Sequence, residues 1–439
     1  MDKYLSEICK EYEDYIIALR RDFHKYAEAG WLEFRTTSKI AEILEDNNIE
    51  IHLGKRVINP CEVMGYPSEE DINKNIKRAL KQGAKEKYIE RMEGYTGLMA
   101  IIDSGKEGST VALRFDIDSN EVVESREKDH RPFYEGFNSV NEGFDHACGH
   151  DGHAAIGVVT ALILNKIKDK LRGKIKIFFQ PAEEGVRGAK AMVATSNFHD
   201  VDYLLSAHIG FLAKEEGVMI TNTKGFLATS KIDAQFKGKS AHAGAAPEEG
   251  NNALLAAASS ALNIHAQCQD GRGACRVNVG YISAGTGRNV VPDTALMKIE
   301  TRGESTEINE AMYKKTLDVL RASAAMYGVE FETELVGGAA GGQGDEELAS
   351  VVRSVVEKLE IMREIKDNEN LNGSEDITYM MEKVQKNGGK ATFMIIGTPI
   401  SAPHHNSKFD FQEEVLINGV KIFTSVVSRL LNRMDSGFR

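Results

Sequence analysis

Apolar residues recur at three-to-four spacing through "KEYEDYIIALRRDFHKYAE" and "RTTSKIAEILEDNN", with dense charge between them, so residues 10–48 are expected to be helical. The stretch that follows, "GYPSEEDINKNIKRALKQGAKEKYIERMEGYTG", is charged and also expected to be helical. It delays the first strand and reads as an insertion over about 53–95. Beyond it, "GLMAIIDSG" and "STVALRFDID" are short apolar runs bounded by Gly, Ser and Asp, the pattern of buried strands. A helix from about Gly152 to Lys168, the strand "KIKIFFQPAEEG", the helix "GAKAMVATS" and the strand "VDYLLSAHIG" then alternate as βα units. That alternation predicts an α/β fold with a mostly parallel sheet and helices on both faces.

Near Gly225 the pattern changes. "FLATSKIDAQFKGKSAHAG" alternates polar with apolar, "NNALLAAASSALNIHAQC" is an Ala-rich helix, and "RVNVGYISAG" and "TALMKIETRG" are strands. A helix, "EINEAMYKKTLDVLRASAAMYG", and a strand, "VEFETELVGG", close a βαββαβ-like order. Residues 225–336 are therefore expected to be an inserted α+β domain. The helix–strand rhythm resumes at "GDEELASVVRSVVEKL", so 1–224 and 337–439 together form the first domain. The segment "GGAAGGQGD" between them is unusually rich in glycine.

Length agrees with this division, since 439 residues exceed one ordinary core. A formal net charge of -12 argues against nucleic acid or an anionic membrane as the main partner, because either repels an acidic protein at long range. No apolar run has the roughly eighteen residues of a spanning helix, and the chain opens on charge, so a cytoplasmic location is expected. The five cysteines are scattered and odd in number, which suits reduced thiols.

One stretch departs from ordinary packing. In "NEGFDHACGHDGHAAIGVVTALIL", His146, Cys148, His150 and His153 fall within eight positions ahead of an apolar helix. Cys148, His150, Glu183, Glu184 and His208 all follow a strand or precede a helix, and His404 and His405 follow the strand "ATFMIIG". In open α/β sheets such positions share one edge. Gly149 lets Cys148 and His150 converge on one ion from a turn. Thiolate, imidazole and carboxylate together suit zinc, manganese or cobalt. With adjacent glutamates, one binds metal while the other takes a proton from a water whose pKa the metal lowers to roughly 7. Each piece alone has an ordinary explanation: Glu-Glu is usually solvated, and a lone His208 is usually a satisfied core histidine. A second chemistry is a Cys148 nucleophile with His150 as its base, activated by the helix N-terminus. That reading gives Glu183, Glu184 and His208 no role. His146 and His153 support or flank the site.

The segments "RRDFHKYAEAGWLEFRT", "LRFDID", "HACGHDGHAA", "QPAEEGVRGAKAMV", "AHIG", "KGKSAHAGAAPEEGNNALLAAA", "GRNVVPD" and "GSEDITYMM" stand in one order along the chain. Through them it resembles, over nearly its whole length, the metal-dependent amidohydrolases that include carboxypeptidase G, aminoacylases and plant indole-acetyl-amino-acid hydrolases. The resemblance implies a two-metal site with Cys148, His150, Glu184, His208 and His405 as ligands, His405 being preferred to His404 by counting back from Phe409. It implies Glu183 as general base and acid, and Asp118 as the carboxylate that orients a ligand. The inserted domain becomes a lid that also dimerises. Its His242 would stabilise the oxyanion, and Arg288, Asn289 and Arg302 would hold a substrate carboxylate.

In the insertion, "FHKYAEAGWLEFRT", "RVNVGYISAGTGRNVVP" and "HHNSKFDF" the chain resembles the members of that family that act on p-aminobenzoyl-glutamate, and this resemblance implies its hydrolysis to p-aminobenzoate and glutamate, with manganese as the metal. The implied assembly is a homodimer through the lid, or a heterodimer with a related B subunit. A broader aminoacylase or dipeptidase, and a non-catalytic subunit of the same fold, are the competing expectations.

Overall fold

The computed structural model describes residues 2–432. Two compact units divide the chain: the larger runs to Lys224, takes in Gln343–Leu371 and resumes at Tyr379, and the smaller comprises Gly225–Gly342 and Asn372–Thr378. Along the chain the strands are β1 (Glu50–Leu53), β2 (Leu98–Asp103), β3 (Thr110–Asp116), β4 (Lys174–Gln180), β5 (Tyr203–Ile209), β6 (Val218–Ile220) and β7 (Thr223–Lys224). The smaller unit contributes β8 (Ala228–Lys237), β9 (Cys275–Ala284), β10 (Thr294–Gly303) and β11 (Glu330–Ala339), and the larger ends with β12 (Glu364–Lys366), β13 (Glu369–Asn370) and β14 (Lys390–Ile396).

The main sheet of the larger unit has the order β1-β2-β4-β3-β5-β14-β6-β12. Its central four strands, β4, β3, β5 and β14, are mutually parallel, while β2 and β6 join them antiparallel. Every residue of β3 is buried, as expected for a parallel strand covered on both faces. The helix after the histidine cluster begins at His150 and ends at Lys166, two residues earlier at each end than the apolar pattern suggests. Gly149, at φ +86°, sets that start by taking a left-handed conformation other residues resist. Residues 150–164 of this helix are all buried, and it packs on β3 and on the helices Glu13–Lys25 and Glu414–Leu431. Close approach needs Gly157, where a Cβ would lie 2.7 Å from both Phe115 and Phe179.

The insertion is built of short 3-10 turns followed by helices Glu69–Lys81 and Glu86–Met92. Ser68 caps the first by accepting from the Asp71 amide at 3.1 Å, with Glu69, Glu70 and Asp71 in the opening turn, where negative charge meets the positive end of the helix dipole. Ala79, Tyr88 and Met92 are buried, so the charged segment is anchored by a thin apolar stripe.

In the smaller unit the sheet order is β11-β8-β10-β9, antiparallel throughout, with helices Ala253–Ala266 and Thr306–Tyr327 packed against each other and on it. The expected βαββαβ order is present. Buried positions alternate along β10, and Ile232, Phe236, Met297, Ile299 and Leu320 form the core. Part of the glycine-rich segment is strand: Gly337–Ala339 close β11 after a register shift at Leu335/Gly337.

Among the described residues, no helix is long and apolar enough to cross a membrane.

Gly157→Val is expected to lower the unfolding free energy by about 1–3 kcal/mol, because the side chain must displace Phe115 and Phe179. Urea denaturation checks this, and an unchanged midpoint would contradict the close contact.

Candidate metal centre

Parallel strands bring their carboxyl ends to one edge, and the chain places its unusual residues there. β3 ends at Asp116, with Asp118 two residues on; β4 leads into the turn holding Glu183 and Glu184; His208 is the penultimate residue of β5. β14 leads into the loop carrying His404 and His405, and Cys148 and His150 stand at the start of the buried helix.

The donor atoms converge. Those of Cys148, His150 and His208 lie within 4.8 Å of one another, as do those of Cys148, Glu184 and His405, and those of His150, Glu183 and Glu184. Cys148 Sγ is 3.4 Å from His208 Nε2, and His405 Nε2 is 3.4 Å from Glu184 Oε1. His208 Nδ1 donates to the Ile209 carbonyl at 2.8 Å, which leaves Nε2 as the nitrogen with a lone pair. His150 Nδ1 faces the Asp118 carbonyl at 3.1 Å and its carboxylate at 3.3 Å, so Nδ1 carries the proton there too. The other Asp118 oxygen accepts from the Glu184 amide at 2.8 Å. One carboxylate thus orients two of the converging residues.

Two neighbouring histidines are engaged elsewhere. His153 Nδ1 meets Asp116 Oδ1 at 2.5 Å and its Nε2 accepts from the Ile209 amide at 2.9 Å, leaving neither nitrogen for an ion. His404 Nε2 donates to the Ile209 carbonyl at 3.3 Å, its ring set 4.7 Å from Phe409 and 5.4 Å from His208. His405 instead takes a left-handed conformation, φ +64°, anchored by its amide on the Ala147 carbonyl at 2.7 Å. That conformation turns it to Glu184.

Burial, with the Glu184 carboxylate adding to it, raises the Cys148 thiol above its ordinary value; nucleophile and ligand alike need the thiolate, which a bound cation would stabilise. Burial and the surrounding histidines push His208 well down, so it is a neutral imidazole, as a ligand must be. Burial works to raise Asp116, but His150, His153 and Arg114 overcome it and hold the carboxyl well below its usual range.

A divalent cation fits this donor set. His150 Nε2 is buried without a hydrogen-bond partner among the described residues, at a cost of about 1–3 kcal/mol, and Glu184 Oε1, facing the His405 ring at 3.4 Å, makes no hydrogen bond of good geometry. Both atoms belong to the converging groups, so an ion would satisfy them together.

Residues without an assigned role in the sequence hold this edge in place. Arg20, with no solvent exposure, lies 2.7 Å from Asp151, 2.9 Å from Asp410 and 3.4 Å from Glu413. His24 Nδ1 donates to Asp151 at 2.8 Å and Nε2 to Glu124 at 3.0 Å. Asp116 holds His153, and Glu33 accepts from the Ala182 amide at 2.8 Å, steadying the turn before Glu183. The sequence signal for Arg20 and His24 was their i, i+4 spacing on the stripe otherwise made of Ile16, Leu19 and Phe23.

His242, Arg288, Asn289 and Arg302 belong to the smaller unit. His242 Nδ1 accepts from the Ala245 and Gly244 amides at 3.0 and 3.2 Å, and the Ala243 amide donates to the Asn289 carbonyl at 3.0 Å. Arg288 and Asn289 are exposed, and Arg302 pairs with Glu300 at 3.0 Å on its own strand.

Residues 112–429 match the model of peptidase family M20/M25/M40. The chain is 46% identical over 418 residues to a Haemophilus influenzae homolog of one of the subunits of p-aminobenzoyl-glutamate hydrolase, covering 95% of this chain and 98% of that protein. It is 43% identical to the indole-3-acetyl-aspartic acid hydrolase of Enterobacter agglomerans, covering 96% of each. Its fold matches the crystal structure of an aminobenzoyl-glutamate utilization protein from Klebsiella pneumoniae with a TM-score of 0.85 at 38% identity, over 98% of this chain and 99% of that one.

Burial works against a charged His24, but its hydrogen bonds to Asp151 and Glu124 prevail and lift it to about 10, above the roughly 6.5 of an unfolded histidine. Its stabilisation is therefore complete below about pH 6.5 and fades as pH rises through 10. In urea titrations His24→Gln is expected to flatten the decline of stability across that window; an equally steep decline would contradict a charged His24.

Proposed function

The chain belongs to peptidase family M20/M25/M40, and we propose that it is a metal-dependent amidohydrolase whose preferred substrate is p-aminobenzoyl-glutamate, cleaved to p-aminobenzoate and glutamate. The observation that carries this is the convergence of Cys148, His150, Glu184, His208 and His405 beside a second carboxylate, Glu183, on one sheet edge. Two of the relatives point the same way in their names, each joining an aromatic acyl group to an acidic amino acid.

In this reading those five residues hold a pair of divalent ions, manganese being the expected metal. The ions supply Lewis acidity, lowering the pKa of a water to roughly 7 and polarising the scissile carbonyl. Glu183 lies 4.0 Å from His150 Nε2 with its side chain 12% exposed, so it reaches the cluster while remaining open to a reactant. It takes the proton of the attacking water and returns it to the amide nitrogen, which leaves as a neutral amine. Asp118 keeps His150 and Glu184 aligned through this exchange. His242 is the oxyanion donor: with Nδ1 accepting two backbone amides, its proton resides on Nε2, free to be given to developing negative charge. Arg288, Asn289 and Arg302 hold the α-carboxylate, for which Arg302 exchanges part of its pairing with Glu300.

The smaller unit serves as lid and dimerisation surface. Its strand β9 is a sheet edge with Tyr281 and Ile282 exposed, and the helix Ala253–Ala266 exposes Leu254, Leu255 and Leu262. An open edge beside apolar side chains is suited to pairing with a second chain. The partner is a second copy or a related B subunit, the latter suggested by a relative whose name makes it one of the subunits of its hydrolase. The cytoplasm is the proposed location.

The test is hydrolysis of p-aminobenzoyl-glutamate by the purified chain, stripped with chelator and restored with manganese or zinc. Activity should vanish and return. Glu183→Ala is expected to lower kcat by about 10²–10⁴-fold with metal content unchanged. Full activity in that variant sinks the assigned role.

A further inference from the structure

Beside the metal centre the larger unit carries a cleft of about 740 Å³, within the size range of small-molecule sites. The insertion helix Glu69–Lys81 contributes Lys74 and Arg78 to its lining, which also includes Gly30, Val140, Phe144 and Arg187. The walls continue directly from the metal-centre residues. Arg187 Nε donates to the Glu184 carbonyl at 3.0 Å, and the Ser119 amide, next to Asp118, donates to the Glu28 carbonyl at 2.9 Å.

The donors in this cleft are incompletely used. Arg78 gives Nη2 to Glu28 at 2.9 Å, but its Nε is buried with no hydrogen-bond partner among the described residues. Arg187 spends Nε on Glu184 and Nη1 on the Gly65 carbonyl at 3.3 Å, leaving Nη2 over Gly30, 2.5 Å from where a Cβ would stand. Lys74 is exposed and makes no ion pair among the described residues.

Acidic groups line the cleft as well. Asp71 is engaged by the Ser68 hydroxyl at 2.6 Å, and Glu121 and Glu142 are exposed, where water and salt screen them. Deeper in, Arg78 is balanced by the buried Glu28, while half-buried Arg187, which forms no ion pair among the described residues, leaves net positive charge on the cleft wall. Leu32 and Pro67 supply apolar surface for a short methylene chain.

We propose that this cleft receives the acidic side chain of the substrate's amino-acid half, with Lys74, Arg78 and Arg187 holding its second carboxylate. The proposal rests on the amidohydrolase reading above and adds the selectivity for aspartyl and glutamyl over neutral leaving groups. A neutral side chain would leave Lys74 and the Arg187 Nη2 edge to water alone, whereas a carboxylate pairs with both.

The test compares p-aminobenzoyl-glutamate with p-aminobenzoyl-alanine on the manganese-loaded full chain. In Lys74→Glu the ratio of kcat/KM for the glutamyl over the alanyl compound is expected to fall about tenfold, through KM, because a like charge now faces the carboxylate. Arg78→Lys, which keeps the charge and removes the fork, should lower the ratio in the same direction. An unchanged ratio in both variants overturns the proposal. If the wild-type chain hydrolyses neither compound, the amidohydrolase reading fails, and calorimetric titration of the two compounds decides the cleft separately. Preference for the glutamyl compound, weakened in Lys74→Glu, supports it, and equal binding of both overturns it.

Discussion

A single guanidinium without solvent contact, that of Arg20, ties the helix Glu13–Lys25 to the two segments that carry the ends of the candidate site. Through Asp151 it holds the first turn of the helix that begins at His150; through Asp410 and Glu413 it holds the loop that follows His405. Phe411 and Phe137 lie 4.4 and 5.2 Å from its carbon centre and exclude water. Breaking a buried pair of this kind by deleting one partner costs about 3–5 kcal/mol, a large part of the roughly 5–15 kcal/mol that keeps a typical domain folded. The two histidines on either side of the cluster are thus spaced by an ion network, not by loop backbone alone.

The same logic governs the turn between β4 and Gly188. Ala182 and Val186 take left-handed φ values of +52° and +58° on either side of Glu183 and Glu184, a conformation that non-glycine residues adopt at a cost of about 1–3 kcal/mol. Glu33 and Asp118 hold it through the amides of Ala182 and Glu184. Burial, with Asp118 beside it, pushes Glu33 up to about 8, so proximity of these carboxylates is itself costly. The strain and the charge crowding are compensated by the rest of the fold and are concentrated where donor atoms must point inward.

Much of this was legible in the amino-acid sequence, and the exceptions have physical causes. Long amphipathic helices and the strands β3, β4, β5 and β14 announce themselves because their burial pattern extends over seven residues or more. The three-residue strands β6 and β12, and the four-residue β1 at the junction between the helical run and the insertion, are too short to show a period. The opening helix Asp2–Lys10 and the helix Ile377–Lys386 also went unread, each being only about two to three turns long. At the site, the cluster from Cys148 to His153 stood out because chemistry-bearing residues are adjacent in the chain. Arg20, His24, Glu33 and Asp116 did not, since charged residues on a helix or strand ordinarily face water and only tertiary contacts show that these do not. Between His404 and His405 the count back from Phe409 favours the latter; in the fold His405, at φ +64°, faces Glu184, and His404 faces the Ile209 carbonyl.

Charge raises a last constraint. A chain of net charge -12 repels a substrate bearing two carboxylates at distances beyond the roughly 8 Å over which physiological salt screens it. Affinity for such a molecule must come from positive charge gathered in one cleft, part of it where water is scarce and part, as at Lys74, at the rim without an ion-pair partner among the described residues. Arg78 and Arg187 meet that condition: each is half-buried, and each braces backbone or a buried carboxylate close to Asp118 and Glu184. The segment that supplies Arg78 is the insertion, whose helix Glu69–Lys81 gathers its acids in the first turn and lines the cleft further along with Lys74 and Arg78. An insertion with that distribution of charge makes sense as a selectivity element: it costs little in core packing and changes which leaving group the metal centre meets.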